Sequence, residues 1–235
     1  MRNYTDLFNQ FLAHTNEKEM IKSELIRLFN NQKFDSILDI GCGTGEIIQP
    51  IISNFKRILL LDIEDRLKDE IKKNSKVKFI KNDFLKFEAK EKFDIILAAY
   101  VLWEIPYEKW DSFFKKAKSF LNPDGMIVII DEYSKNKHDN PFFNFNTKVK
   151  KYSGYPEMFD YLSRNKFNHK EKKFISQIFA KDELEMYEIL KFFFQHPGQR
   201  KFYQENKQKI INDLTTKCGG NKCIISMRHV IYIIK

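Results

Sequence analysis

Short, nearly unbroken apolar runs recur through the first half of the chain: Ser36–Ile40, Arg57–Leu61, Val77–Ile80, Phe93–Ala98 and Met126–Ile130. Each has the length of a strand, and continuous apolarity suits strands buried on both faces. Polar segments with helical spacing lie between them, notably 64–73 and 107–120. Alternation of this kind predicts an α/β fold built on a doubly wound parallel sheet. The turn Asn122-Pro123-Asp124-Gly125 predicts a break before the fifth run. Ahead of the first run, Met20, Ile21, Leu25 and Leu28 fall on one face of a helix over 17–30, with Asn16 as its cap.

After Asp131 the pattern changes. Residues 134–170 are polar, Lys-rich and aromatic, with Phe142, Phe143, Phe145, Tyr152, Tyr155, Phe159 and Tyr161. They predict a cap whose aromatics either pack over the sheet or line an acceptor pocket. Residues 171–180 read as a sixth strand and 181–195 as a helix stopped by His196-Pro197-Gly198. A further helix over 199–214 and a seventh strand over Cys223–Ile234 complete the sequence.

The 235 residues are 43% hydrophobic and 15% aromatic, enough to bury a sizeable core in a single domain over 1–235. Its cofactor-binding core is placed at 35–132, the cap at 133–170 and C-terminal strands and helices at 171–235. No run of eighteen uncharged apolar residues occurs, so no membrane span is predicted. The opening MRNYTDLFNQ lacks the apolar stretch of a secretory signal, which makes the cytoplasm the expected location. Three cysteines do not make a disulfide framework, and Cys218 with Cys223 cannot complete a zinc site, so no metal is expected.

Net charge +9 hints at nucleic acid only in bulk. The 34 Lys outnumber 7 Arg, and Arg is the side chain that forks onto phosphates and bases. Residues 35–132 carry a net −2 and residues 133–235 a net +10. A near-neutral core followed by a basic region therefore points to a negatively charged small molecule more than to a nucleic acid.

The most informative stretch is ILDIGCGTGEI, residues 37–47, where Gly41, Gly43 and Gly45 follow the first strand and are expected to open a helix. Glycines at alternate positions let backbone turn sharply and approach a ligand that a Cβ would block. Asp62 ends the second strand, 21 residues beyond Gly41, where a carboxylate can accept both hydroxyls of an adenosine ribose. A dinucleotide wants G-x-G-x-x-G so that its pyrophosphate rests on a helix N-terminus. Here the third glycine falls one position early, Glu46 takes the place of Gly or Ala, and Asp39 adds a second acid. Those acids repel a pyrophosphate but suit a sulfonium cation. The spacing favours S-adenosylmethionine over a dinucleotide.

Taken together these motifs resemble the class I S-adenosylmethionine-dependent methyltransferases over about residues 36–132. ILDIGCGTG resembles the family's first motif, including a cysteine, Cys42, between two glycines. LLLDIED resembles the second, which implies Asp62 on the ribose and Ile63 beside the adenine. VKFIKNDFLKF resembles the third, which implies Asp83 facing the adenine amino group with Phe84 next to it. FDIILAAYVLWEI is similar to the fourth strand and the helix after it, with Ala98 at the cofactor, and LNPDGMIVIIDE to the turn into the fifth. The resemblance implies a Rossmann-like seven-stranded sheet with helices on both faces and an antiparallel last strand. It also implies a lid of N-terminal helices in residues 1–34, whose Tyr4, Phe8 and Phe11 would cover the cofactor. The branch it most resembles acts on small molecules: where amide and nucleobase methyltransferases carry an Asn/Asp-Pro-Pro-aromatic element, this chain has Ala98-Ala99-Tyr100-Val101. Many relatives place a histidine in the segment held here by Trp103-Glu104.

Methyl transfer from a sulfonium is an in-line displacement that depends mainly on alignment, worth on the order of 7–11 kcal/mol. A base is needed only when the nucleophile arrives protonated. Glu104, Asp131 and His138 are the candidate bases. The implied function is methylation of an oxygen or nitrogen on a small, acidic metabolite, leaving S-adenosyl-L-homocysteine. An RNA or protein methyltransferase and a non-catalytic partner subunit are the competing readings. Cys42 is expected to contribute its backbone rather than a nucleophile.

Overall fold

The computed structural model describes residues 4–30, 32–133, 158–194, 197–218 and 222–235. Seven strands form one sheet: β1 (Phe34–Ile40), β2 (Phe55–Asp62), β3 (Val77–Lys81), β4 (Phe93–Ala99), β5 (Leu121–Glu132), β6 (His169–Ala180) and β7 (Cys223–Ile234), in the order β3-β2-β1-β4-β5-β7-β6. β1, β2, β3, β4 and β5 pair in parallel, and β7 runs antiparallel to β5. The side chains of Ile37, Leu38, Ile58, Leu60, Ile95, Ile96, Leu97, Ile127 and Val128 are almost wholly buried, as continuous apolar runs require when both faces are covered. From β1 the chain moves outward through β2 and β3, then returns to β4 on the other side of β1. That reversal opens a crevice at the carboxyl ends of β1 and β4, the usual ligand position in such sheets.

Several local expectations are corrected. No α-helix follows the glycine loop; Gln49–Asn54 forms a 3-10 turn instead. Pro50, within that short segment, has no N–H to donate, and Ile47, Ile48, Ile51 and Ile52 are β-branched. The segment 64–73 keeps only a four-residue helix, α3 (Asp69–Lys72). The Asn122–Gly125 turn does not separate strand from helix: β5 starts at Leu121 and absorbs it as a register shift opposite Phe93 and Ile95. Asn122 Nδ2 donates to Asp94 Oδ1 (2.6 Å) there. Asn16 does not cap α2 (Glu17–Leu28): its Oδ1 accepts from the Gln177 amide (2.7 Å), while Thr15 Oγ1 accepts from Glu17 N–H (3.2 Å). The helix expected over 199–214 is two, α7 (Pro197–Glu205) and α8 (Lys207–Lys217).

Contacts divide the chain into two units. One comprises Ile21–Tyr133, Glu157–Phe174 and His229–Lys235, with β1 to β5 at its centre. In it α5 (Met158–Arg164) packs Tyr161 against Trp110 and Phe114 of α4 (Trp110–Ser119) and against Phe167, and the Tyr161 hydroxyl donates to Asp111 Oδ1 (2.6 Å). Tyr161 is thus packing rather than pocket; Phe142, Phe143, Phe145, Tyr152 and Tyr155 lie outside the described residues. The other unit comprises Met1–Met20, Ser134–Pro156 and Ile175–Arg228. Its α1 (Tyr4–Ala13) sets Phe11 against Phe192 (ring centroids 5.0 Å apart) and Phe193 (5.2 Å), with Phe8 also on Phe192. In the same unit α6 (Glu183–Leu190) begins with a reciprocal cap, Asp182 Oδ1 accepting from Glu185 N–H and Glu185 Oε2 from Lys181 N–H. Cys218 and Cys223 are joined there as a disulfide across a Cα separation of 4.4 Å, a pairing the odd cysteine count did not signal.

Candidate active site

The glycine loop leaves β1 and immediately bonds back to β2: Gly41 N–H and Cys42 N–H both donate to Leu61 C=O, at 2.7 and 3.2 Å. Gly41, Gly43 and Gly45 all have positive φ, at +69°, +54° and +79°. Only glycine adopts such angles freely, and the need differs along the loop. A Cβ on Gly41 would fall 2.5 Å from Val101 Cγ2, so glycine there lets the segment after β4 close over the loop. A Cβ on Gly43 would meet nothing within 4 Å. Packing does not demand glycine at 43; a ligand lying in that space would.

Asp62, at the end of β2, is buried and holds the loop: Oδ2 accepts from Gly43 N–H (2.8 Å) and Oδ1 from Glu64 N–H (2.9 Å). Each carboxylate oxygen has two lone pairs, so both can accept a further hydroxyl. Ile63, next to it, keeps 65% of its surface exposed, an apolar platform beside the diol acceptor. Half-buried Asp83 accepts from Leu85 N–H through Oδ1 (2.9 Å), which fixes its loop and leaves Oδ2 capacity. Phe84 is turned away into the core against Phe113 and Phe120. Ala98 is buried in β4, level with Ile40 of β1. Cys42 is buried and its thiol is pushed up by burial and by the Asp39 and Asp62 charges, so it remains protonated. The Glu46 carboxylate is held by Lys68 at 2.6 Å. The side chain of Tyr4 and all of His138 lie outside the described residues.

Asp39 is buried inside β1, and burial together with the neighbouring Asp62 charge pushes its pKa up to about 8. At neutral pH this favours its protonated form. Its linkage sign is that of a raised acid: native stability is fullest below pH 3.8 and declines as pH rises through about 8. Asp39→Asn is expected to melt higher than wild type, with an advantage that widens from pH 5 to pH 8. Thermal denaturation across that range checks it, and a constant difference would count against a buried proton at Asp39.

At the carboxyl ends of β4 and β5 stand four groups whose pairing no local motif announces. Tyr100 has φ +56°, unusual for an aromatic residue, and its hydroxyl lies 2.7 Å from Nδ1 of His229 in β7. His229 is fully buried, stacks on Phe174 (4.9 Å), and is pushed down to about pKa 4 by burial. Its sign is opposite to that of Asp39: stability is full above pH 6.5 and lost as pH falls toward 4, by on the order of 3 kcal/mol. The wild-type advantage over His229→Gln is expected to shrink across that window in urea titrations; an unchanged gap would contradict a neutral His229. The second pair is Trp103, whose indole N–H donates to Asp131 Oδ1 (2.6 Å), and Asp131 itself, buried and raised to about 6 by desolvation. Of the three candidate bases, Asp131 is buried and held, Glu104 is exposed, and His138 is not described.

Residues 37–125 match the family model described as a methyltransferase domain. Over 105 residues the chain is 31% identical to malonyl-[acyl-carrier protein] O-methyltransferase 2 of Ilyobacter polytropus, covering 42% of this chain and 40% of that enzyme. The chain spans about half the length, or less, of the curated relatives it matches. Among solved structures, YcgJ of Bacillus subtilis aligns with TM-score 0.61 at 15% identity, covering 92% of this chain and 97% of that one. The N-methyltransferase NodS of Bradyrhizobium japonicum, in complex with S-adenosyl-L-homocysteine, aligns with TM-score 0.58 at 13% identity over 99% of this chain and 97% of its own. At such identities the structural likeness establishes the fold.

Proposed function

We propose, from a core that belongs to the class I S-adenosylmethionine-dependent methyltransferases, that this chain binds S-adenosylmethionine and transfers its methyl group to a small molecule. The observation that carries the reading is Gly43, a left-handed glycine with open space where its Cβ would be, held by the same Asp62 that would take the ribose hydroxyls. Ile63 and Asp83 would receive the two sides of the adenine, apolar face and amino group. Asp39 would sit beneath the positively charged methionine end, which returns it to its ionised form. Methyl transfer then needs little more than alignment of nucleophile, carbon and sulfur in a site closed to water.

For the acceptor, the net +10 of residues 133–235 supports a phosphorylated, nucleotide-linked or carboxylate metabolite. The O-methyltransferase among the relatives, named for malonyl-[acyl-carrier protein], is in keeping with a carboxylate-bearing acceptor. Calorimetry with S-adenosylmethionine tests the cofactor half, and no heat at millimolar ligand would refute it. A labelled-methyl screen over acidic metabolites and mixed-sequence RNA tests the acceptor half.

A further inference from the structure

Asp131 closes β5 beside the segment that follows β4, and its environment is unusual for a carboxylate. It is 7% exposed, and both of its donors, the Trp103 indole and the Glu132 amide (2.8 Å), converge on Oδ1. Oδ2 is the atom with capacity for another donor. Among the described residues no cation pairs with it, although buried carboxylates are normally paired because desolvation costs several kcal/mol. Lys173, in β6 of the same unit, is committed elsewhere: its Nζ lies 4.0 Å from the centre of the Tyr133 ring, 2.9 Å from its hydroxyl and 3.2 Å from Glu171 Oε2. The chain neighbours of this pair, Glu104 and Glu132, are also acids.

Trp103 supplies the second, independent signal. Its indole is fixed by the bond to Asp131, yet 47% of its surface stays exposed. A large aromatic ring held at the surface next to a buried carboxylate that no cation pairs with among the described residues is a cation site in both of its parts, one by ring quadrupole and one by charge. Asp39 meets the cofactor's cation by the same logic, a buried acid that no cation pairs with among the described residues. Resting on the methyl-transfer reading above, we infer that the reacting atom of the acceptor is an amine nitrogen, seated between the Trp103 ring and Asp131 Oδ2. The ammonium gives one proton to Asp131, its freed lone pair forms the new N–C bond, and the C–S bond breaks with its electrons left on sulfur as the neutral thioether. The methylated product keeps a single positive charge, and Asp131 later passes its proton to water. Burial raises the affinity of Asp131 for that proton, which suits the transfer. An acidic metabolite bearing an amine fits both this site and the acceptor class proposed above.

The chain has two tryptophans, so the indole N–H region of a nitrogen-correlated spectrum holds two signals, with Trp110, buried and bonded to Ile105 C=O, as internal control. Protein loaded with S-adenosyl-L-homocysteine is titrated with methylammonium, acetate and inorganic phosphate at constant ionic strength. The Trp103 signal is expected to move saturably with methylammonium alone, and at least tenfold more weakly in Asp131→Asn. Movement with acetate or phosphate in place of methylammonium, no movement with any probe, or an undiminished response in Asp131→Asn would overturn the inference. The comparison of probes on the wild-type chain decides even where the variant is unstable. Calorimetry with S-adenosyl-L-homocysteine runs separately: its failure refutes the methyltransferase reading, while the titration of the unloaded protein still reports on the ammonium site.

Discussion

Gly43→Val is expected to abolish binding of S-adenosylmethionine, by at least a hundredfold, while leaving the protein folded. The added Cβ meets no protein atom within 4 Å, so its own cost is the left-handed backbone at φ +54°, about 1–2 kcal/mol for an L-residue and more for a β-branched one. Gly43→Asn fills the same space with a side chain that tolerates that conformation better, and should give the same loss with a smaller drop in melting temperature. Gly41→Ala is the contrast: its Cβ would strike Val101, so it should lower stability before binding is ever measured. Calorimetry and thermal melts on the three variants separate the cases. Near-wild-type affinity in either Gly43 variant would mean that nothing binds against the loop.

Asp62→Ala is expected to weaken cofactor binding by about 1.5–3 kcal/mol, the worth of hydrogen bonds to a charged group. The same change strips acceptors from the Gly43 and Glu64 N–H groups, so it should also lower the melting temperature. Asp62→Asn separates these contributions, because an amide keeps one acceptor oxygen but presents a donor to the other N–H. Its affinity for adenosine alone, measured by calorimetry, should fall with that for the whole cofactor. Unchanged affinity for either ligand would remove Asp62 from the ribose site.

The parts of the site that could be read from the sequence are local. The glycines, Asp62 and Asp83 each owe their positions to the few residues around them, at the end of a strand whose apolar run is plain. The parts that were not legible depend on strand order. Trp103 reaches Asp131 across 28 residues and Tyr100 reaches His229 across 129, and both meetings exist only because β4, β5 and β7 lie side by side. The positive φ of Tyr100 has no signal in its own residue type. Phe84 lies beside Asp83 in the motif, and the structure packs its ring against the core phenylalanines Phe113 and Phe120. The glycine-to-helix expectation failed over residues 46–54, where the β-branched Ile47, Ile48, Ile51 and Ile52 flank Pro50 and only a 3-10 turn forms.

The order β5-β7-β6 has a kinetic consequence. β6 is made before β7, yet β7 is the strand that stands between it and β5. During synthesis β6 therefore waits without its strand neighbour β7, bridged at Ile178 to Thr15, while residues 181–222 emerge, and β5 waits with one open edge. Folding must close these long loops last, and such non-local pairing is slow. The interval is when an exposed, half-apolar strand such as Phe174–Ala180 is most able to pair with another chain. Refolding yield should fall with protein concentration for this reason, and a peptide spanning β7 added in trans should restore it.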